Sequence, residues 1–150
     1  MRFLTLFGLT ALALCVSLPA FSQSAVVTVQ ATVISPANNA EFQAPENQTI
    51  TISLSTTHWI VISGATPNTS YGVSWSASIV VSSIMITGST NYQNLVTDGD
   101  GNVTGSTLPL SGTADRYAGS YNASALTTPN SVTPSLPKAS GYANNSFVIK

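Results

Sequence analysis

Apolar and polar residues alternate along much of this chain with a period of two. Val27, Val29, Ala31 and Val33 fall on one side of a pleat, with Thr28, Gln30 and Thr32 on the other. Ile50, Ile52 and Leu54 alternate with Thr49, Thr51, Ser53 and Ser55, and Tyr71, Val73 and Trp75 with Gly72, Ser74 and Ser76. One apolar face per segment marks a half-buried strand, and the wealth of Val, Ile and Thr favours a pleated backbone over a helical one. No segment repeats apolar residues at i, i+3, i+4 and i+7 over three turns, so no helix is expected. Further strands are expected at Trp59–Ser63, Ser83–Thr87, Gln93–Thr97, Val103–Leu108, Ser120–Leu126 and Ser146–Ile149. Turn signals stand at Pro36–Asn39, Gly64–Asn68, Gly88–Asn91, Asp98–Asn102 and Thr128–Asn130. Their spacing of about ten residues suits an all-β fold, a single antiparallel sandwich of about seven to nine strands. The Ser/Thr/Pro-rich stretch Thr127–Gly141 reads as a long surface loop before the last strand.

The first 22 residues have a different character. Met1 and Arg2 precede an apolar run from Phe3 to Leu18, and Pro19-Ala20-Phe21-Ser22 offers small residues for cleavage after Ser22. This is the layout of a secretory signal peptide, and the run is short for a membrane span. The expected localisation is secreted, extracellular or periplasmic. Cys15 follows Leu14, where a lipid-attachment site wants a small residue, so it reads as apolar filler of the leader. Cleavage would leave residues 23–150 without cysteine, held by burial and backbone pairing alone in a compartment that permits disulfides. The organisation expected is a leader over 1–22, an extra strand over 23–34, and one sandwich domain over 35–150.

Charge narrows the function. Only 6% of residues are charged; beyond the leader Arg116, Lys138 and Lys150 face Glu41, Glu46, Asp98, Asp100 and Asp115, with His58 the one imidazole. Three cations cannot build a phosphate footprint, so no nucleic-acid partner is expected. No Gly-x-Ser-x-Gly elbow accompanies His58, and Glu41 and Glu46 sit among Asn and Pro residues where solvated carboxylates belong. The chain is therefore read as having no catalytic residue and no cofactor. Asp98-Gly99-Asp100-Gly101-Asn102 concentrates oxygen ligands at a spacing calcium accepts. In EF-hand register, however, Val103 takes the place of the sixth-position glycine and Pro109 that of the bidentate Glu. Asp-Gly and Gly-Asn pairs serve a tight hairpin turn, which is the preferred reading, with no metal assigned. Among the aromatic residues, alternation points Tyr71, Trp75 and Tyr121 to the core, while Tyr92, Tyr117 and Tyr142 fall in expected loops and are the better candidates for stacking on sugars. Asn47, Asn68, Asn102, Asn122 and Asn144 each open an Asn-x-Ser/Thr acceptor sequence.

Four stretches in order carry a resemblance. Ser35-Pro36-Ala37-Asn38-Asn39-Ala40-Glu41-Phe42-Gln43-Ala44-Pro45, followed by Ile50-Thr51-Ile52, resembles the opening of bacterial immunoglobulin-like modules, with Asn39 where glycine is usual. Ile60 to Val73 resembles a strand, a Pro-containing turn and a returning strand. Thr97-Asp98-Gly99-Asp100-Gly101-Asn102-Val103-Thr104 resembles the Thr-Asp-x-x-Gly-Asn hairpin of such modules, and Gly119-Ser120-Tyr121-Asn122-Ala123-Ser124-Ala125 their Gly-x-Tyr-x-x-x-Ala strand. Ala65-x-Pro67-x-Thr69-x-Tyr71 is also similar to the fibronectin type III corner, but some eighty residues follow where that fold needs two more strands. The resemblance spans 35–125, with Phe147-Val148-Ile149 as a closing strand. It implies an extracellular adhesive, spacing or accessory-binding role and no shared active site.

The function expected is thus a secreted, non-catalytic module with a structural, adhesive or protein-interaction role at the cell surface. The alternative is a glycan-binding accessory module of a secreted carbohydrate-active system. The expected partner is a protein or polysaccharide at the surface. Near-neutral exteriors resist association poorly, so strand edges are candidate sites for homo-oligomer formation or for docking a partner strand.

Overall fold

The computed structural model describes residues 24–150; the leader expected over 1–22, with Cys15, lies outside them. Every regular element among the described residues is a strand: β1 (Val26–Ser35), β2 (Ala40–Phe42), β3 (Ile50–Ser63), β4 (Ser70–Val81), β5 (Ile84–Val96), β6 (Val103–Arg116), β7 (Gly119–Thr133), β8 (Lys138–Ala139) and β9 (Gly141–Ile149). They form a four-stranded sheet in the order β6-β3-β1-β8 and a five-stranded sheet in the order β2-β9-β7-β4-β5. The two pack face to face as an all-β sandwich. Every long ladder is antiparallel, as expected, and two short ones are parallel: β1 to β8 through Val27 and Thr28, and β2 to β9 through Ala40–Phe42.

The alternation read from the sequence places the core. Val27 and Val29 of β1, Ile60 and Ile62 of β3, and Tyr71, Val73, Trp75 and Ala77 of β4 fill one end of the interior. Ile52 and Leu54 of β3, Ile79 and Val81 of β4, Ala123 and Ala125 of β7, and Phe147 and Ile149 of β9 fill the other. Each large side chain so buried contributes about 1.5–3 kcal/mol. Tyr121 packs on the second cluster, stacked on Phe147 with ring centroids 5.5 Å apart. Between the clusters runs a polar belt of Thr56, His58 and Thr127, all buried.

One expected strand finds its place, and four expectations are corrected. The strand expected ahead of the domain is β1, which pairs with β3 over nearly its whole length and buries Val27, Val29 and Val33. Gly88–Asn91 is not a turn but the middle of β5, paired with Trp75–Ser78 of β4. The hairpin reverses instead at Ser82-Ser83, both with positive φ (45° and 73°), the conformation of a type I′ turn whose twist matches the flanking strands. Thr128–Asn130 lies inside β7, where the register against β4 shifts between Ser74 and Trp75 and admits Pro129. β9 starts opposite Thr127, so β7 has no ladder to lose on that side beyond it. The long loop expected over 127–141 is consequently short, since β7 runs to Thr133 and β8 follows at Lys138. Tyr92 and Tyr142, placed in loops by their neighbours, stand on β5 and β9.

The chain changes sheets between β1 and β2, and amides pin that crossing. Asn145 Nδ2 donates to the carbonyls of Val33 (3.2 Å) and Pro36 (3.0 Å), and Asn38 Oδ1 accepts from Ser146 N (3.0 Å). The long edges β5 and β6 lie together along one side of the sandwich, where Gln93 Nε2 donates to Ser106 Oγ. The opposite edges are a three-residue and a two-residue strand, and short edges offer little template for a further strand.

Candidate functional site

His58 is fully buried between the sheets. Its Nε2 meets Thr56 Oγ1 at 2.7 Å and its Nδ1 meets Thr127 Oγ1 at 2.7 Å. Thr127 Oγ1 in turn donates to the carbonyl of Gln30 (3.3 Å), which leaves it an acceptor toward the ring. We assign the neutral tautomer with the proton on Nδ1, so that Thr56 donates to Nε2. Burial holds the His58 pKa below the usual histidine value. A ring with both nitrogens engaged and no exposed atom cannot reach a substrate. His58 instead links β3 to β7 across the interior.

The Asp98–Asn102 segment closes one end of the sandwich. Asp98 Oδ1 accepts from the backbone N–H of Asp100 and of Asn102, both at 2.9 Å. These bonds, with that to Asn102 foremost, hold the exposed carboxylate below its ordinary pKa. Asn102 Oδ1 accepts from Gly64 N (3.1 Å), Gly101 O accepts from Ala65 N (3.0 Å), and buried Thr97 donates to Thr66 O (2.6 Å). The loop is therefore built as a turn that docks on its neighbour. Gly101 has φ of 80°, and a Cβ there would collide with the backbone of Ala65. Gly101→Ala should cost about 2 kcal/mol, from left-handed strain and the lost docking contacts, read as a lower urea midpoint with unchanged slope. Because the Asp98 carboxylate is committed to the backbone, millimolar calcium should leave the melting temperature of the parent protein unchanged.

The other carboxylates stay apart from this loop. Glu41 on β2 pairs with Lys150 at 2.6 Å in the open, and Glu46 is exposed in the turn closed by the Gln48 N to Pro45 O bond. Among the described residues no three His, Cys, Asp or Glu side chains gather into a metal-binding group. Tyr71 and Trp75 are core residues, as read from alternation, whereas Tyr92, Tyr117 and Tyr142 are each more than 60% exposed.

Two of those tyrosines share one surface, the outer face of the five-stranded sheet. Its cross-strand rows run Tyr92–Ser74–Ser131, then Thr90–Ser76–Thr128, then Gly88–Ser78–Leu126–Tyr142 from β5 through β4 and β7 toward β9. None of these side chains carries a charge. The middle rows floor a groove of about 460 Å³ between Met85 and Leu126. Asn130 Nδ2 donates to Ser76 Oγ (2.8 Å), which meets Thr90 Oγ1 at 3.1 Å, so the floor is ordered by its own hydrogen bonds. Tyr92 donates its hydroxyl to Asn94 Oδ1 (3.0 Å) and leans over Gly72, where any Cβ would strike its phenol oxygen. Ser124 Oγ donates to Asn144 Oδ1 (3.0 Å) and so accepts from the Tyr142 hydroxyl at 3.1 Å.

Sequence reasoning singled out Tyr92 and Tyr142 but missed the floor between them. Ser and Thr are so frequent here that nothing local marks Ser76, Ser78, Thr90 and Thr128 as neighbours; three separate strands bring them together. Tyr117 lies elsewhere, in the β6–β7 turn beside Pro45, Glu46 and Gln48. Comparison with known proteins adds no assignment, since no protein-family model and no curated protein matches this chain.

Proposed function

We propose that the chain is a secreted, non-catalytic immunoglobulin-like module with an adhesive, structural or protein-interaction role at the cell surface. The observation that carries this reading is the uncharged, internally hydrogen-bonded outer face of the five-stranded sheet, the most developed recognition surface among the described residues. The immunoglobulin-like part is supported by strand order. β1, β3 and β6 correspond to strands A, B and E of that fold, and β9, β7, β4 and β5 to G, F, C and C′. Trp75, buried on β4, stands on the strand that carries the core tryptophan of such domains. Tyr121, near the start of β7, donates its hydroxyl to the Tyr117 carbonyl four residues upstream (3.0 Å), which is the geometry of a tyrosine corner. Antibody-type domains tie strands B and F with a disulfide; here the His58–Thr127 hydrogen bond joins the corresponding pair, β3 and β7. The non-catalytic part is supported by the burial of His58 and by carboxylates held in turns, in a surface ion pair or, for Asp115 on β6, by the Thr51 hydroxyl that donates to it (2.6 Å).

A charge placed on the working face tests the reading. The processed protein should sediment with envelopes of the producing cells, and Thr90→Glu, at an exposed position of the groove, should abolish that retention while leaving the melting curve intact. Soluble behaviour of the parent, or equal retention of the variant, would refute the assignment of this face.

A further inference from the structure

We propose that the outer face of the five-stranded sheet binds a neutral polysaccharide, laid diagonally from Tyr92 across the Ser/Thr floor to Tyr142. The proposal rests on the reading of this face as the working surface and names its ligand class.

The two rings stand at opposite corners of the face. Four residues along the strands and three strand spacings separate Tyr92 from Tyr142, a span of roughly 20 Å between Cα positions at ordinary β dimensions. That length accommodates several sugar residues of an extended chain. Both rings are 66% exposed although their hydroxyls are tethered. Each ring thus keeps a free π face in a set orientation, and little rotamer entropy is left to lose on binding. Aromatic faces of this kind accept the C–H surface of a pyranose ring.

The floor matches the remainder of a sugar. Serine, threonine and asparagine side chains both donate and accept, as sugar hydroxyls do. Leu126 and Met85 border the groove and offer apolar contact. Charge complementarity selects a neutral ligand, because an anionic or cationic polymer would lose water on this face without gaining a counter-charge. Lys138, at the edge of this face, donates to the Asn130 carbonyl at 2.8 Å and is already engaged. A protein ligand fits less well, since interface cores depend on large anchors such as Trp and Arg, and Ser and Thr rarely carry binding energy.

Isothermal titration of the folded protein with hydroxyethylcellulose, galactomannan and laminarin, with polygalacturonate as the anionic comparison, tests the proposal. At least one neutral polymer should bind, with affinity insensitive to salt. Tyr92→Ala and Tyr142→Ala should each weaken binding about tenfold, and Tyr142→Phe, which keeps the ring and cuts the tether, should weaken it less. Circular dichroism verifies that the variants fold. Binding to none of the neutral polymers, binding to polygalacturonate alone, or alanine variants equal to the parent would each overturn the proposal. Envelope retention that Thr90→Glu abolishes, without binding to any neutral polymer, would identify a protein ligand: the working face would stand and the glycan would fall.

Discussion

A protein lacking residues 23–34 should fail to fold. Nearly all of β1 would be lost, and with it Val27, Val29 and Val33, which together bury roughly 6 kcal/mol of apolar stabilisation. That figure is comparable with the whole stability of an ordinary domain, about 5–15 kcal/mol. The loss reaches further than the three valines. β3 would forfeit its ladder from Thr56 to Ser63 and expose Ile60 and Ile62 along a new edge. Gln30 O, the acceptor at the end of the His58 hydrogen-bond chain, would also go. The expected observation is a far-ultraviolet spectrum without the β signature, no cooperative thermal transition, and aggregation on a sizing column. Val27→Asp, a point change at a fully buried site, should move the protein in the same direction by burying an unpaired charge. A deleted chain that kept a cooperative melt would mean that β1 is dispensable to its own sheet and available to another molecule.

The second large effect is acid sensitivity centred on His58. The ring is neutral in the folded state, with its pKa below the ordinary 6.5. Above that value both folded and unfolded chains carry a neutral imidazole, and stability is at its plateau. As pH falls below 6.5 the unfolded chain takes up a proton that the folded one refuses. Stability then declines by about 1.4 kcal/mol per pH unit until the folded pKa is reached. No neighbouring group can offset the charge. β1 carries no ionisable side chain and β3 none besides His58. On β6, Asp115 and Arg116 sit at the far end, opposite Thr51 and Ile50; β7 and β4 contribute only Tyr121 and Tyr71.

Urea titrations across this range measure the slope. His58→Ala should cost about 3 kcal/mol at neutral pH, from the cavity and from a Thr56 hydroxyl left without its partner. Replacing the whole belt, His58→Leu with Thr56→Val and Thr127→Val, should recover much of that loss and flatten the pH dependence above the carboxylate range. Asp98 does not confuse the result. Its depressed pKa contributes stability that is present above its ordinary value of 3.8 and lost only as pH falls below it. A parent protein equally stable on both sides of pH 6.5 would contradict the assignment of His58 as a buried neutral link.

How far the surface chemistry could be read in advance depended on which neighbours a residue needs. The core positions of β1, β3 and β4 were legible because a pleat repeats every two residues, and a run such as Ile50, Ile52, Leu54 has one apolar side whatever its partners are. The role of His58 was not. On local grounds it is a lone imidazole beside Trp59, and only the approach of β7, 69 residues later, supplies Thr127. Turn chemistry misled where pairing overrode it. Gly88–Asn91 has the composition of a turn, yet the alternating Trp75, Ala77, Ile79 and Val81 of β4 hold it extended, and the reversal falls on two serines with no local signal. Pro129 likewise reads as a breaker, and a bulge absorbs it.

From the sequence alone follow the all-strand class, the apolar faces of β1, β3 and β4, the scarcity of charge, and Tyr92 and Tyr142 as aromatic candidates, because these depend on side-chain type and a two-residue period. Tertiary structure alone decided that β1 pairs between β3 and β8 of its own sheet, that a histidine and two threonines bridge the layers, and that the two tyrosines border one hydroxyl-lined face. Those relations join residues tens of positions apart, and register between strands, which sets them, is a property of the assembled sheets.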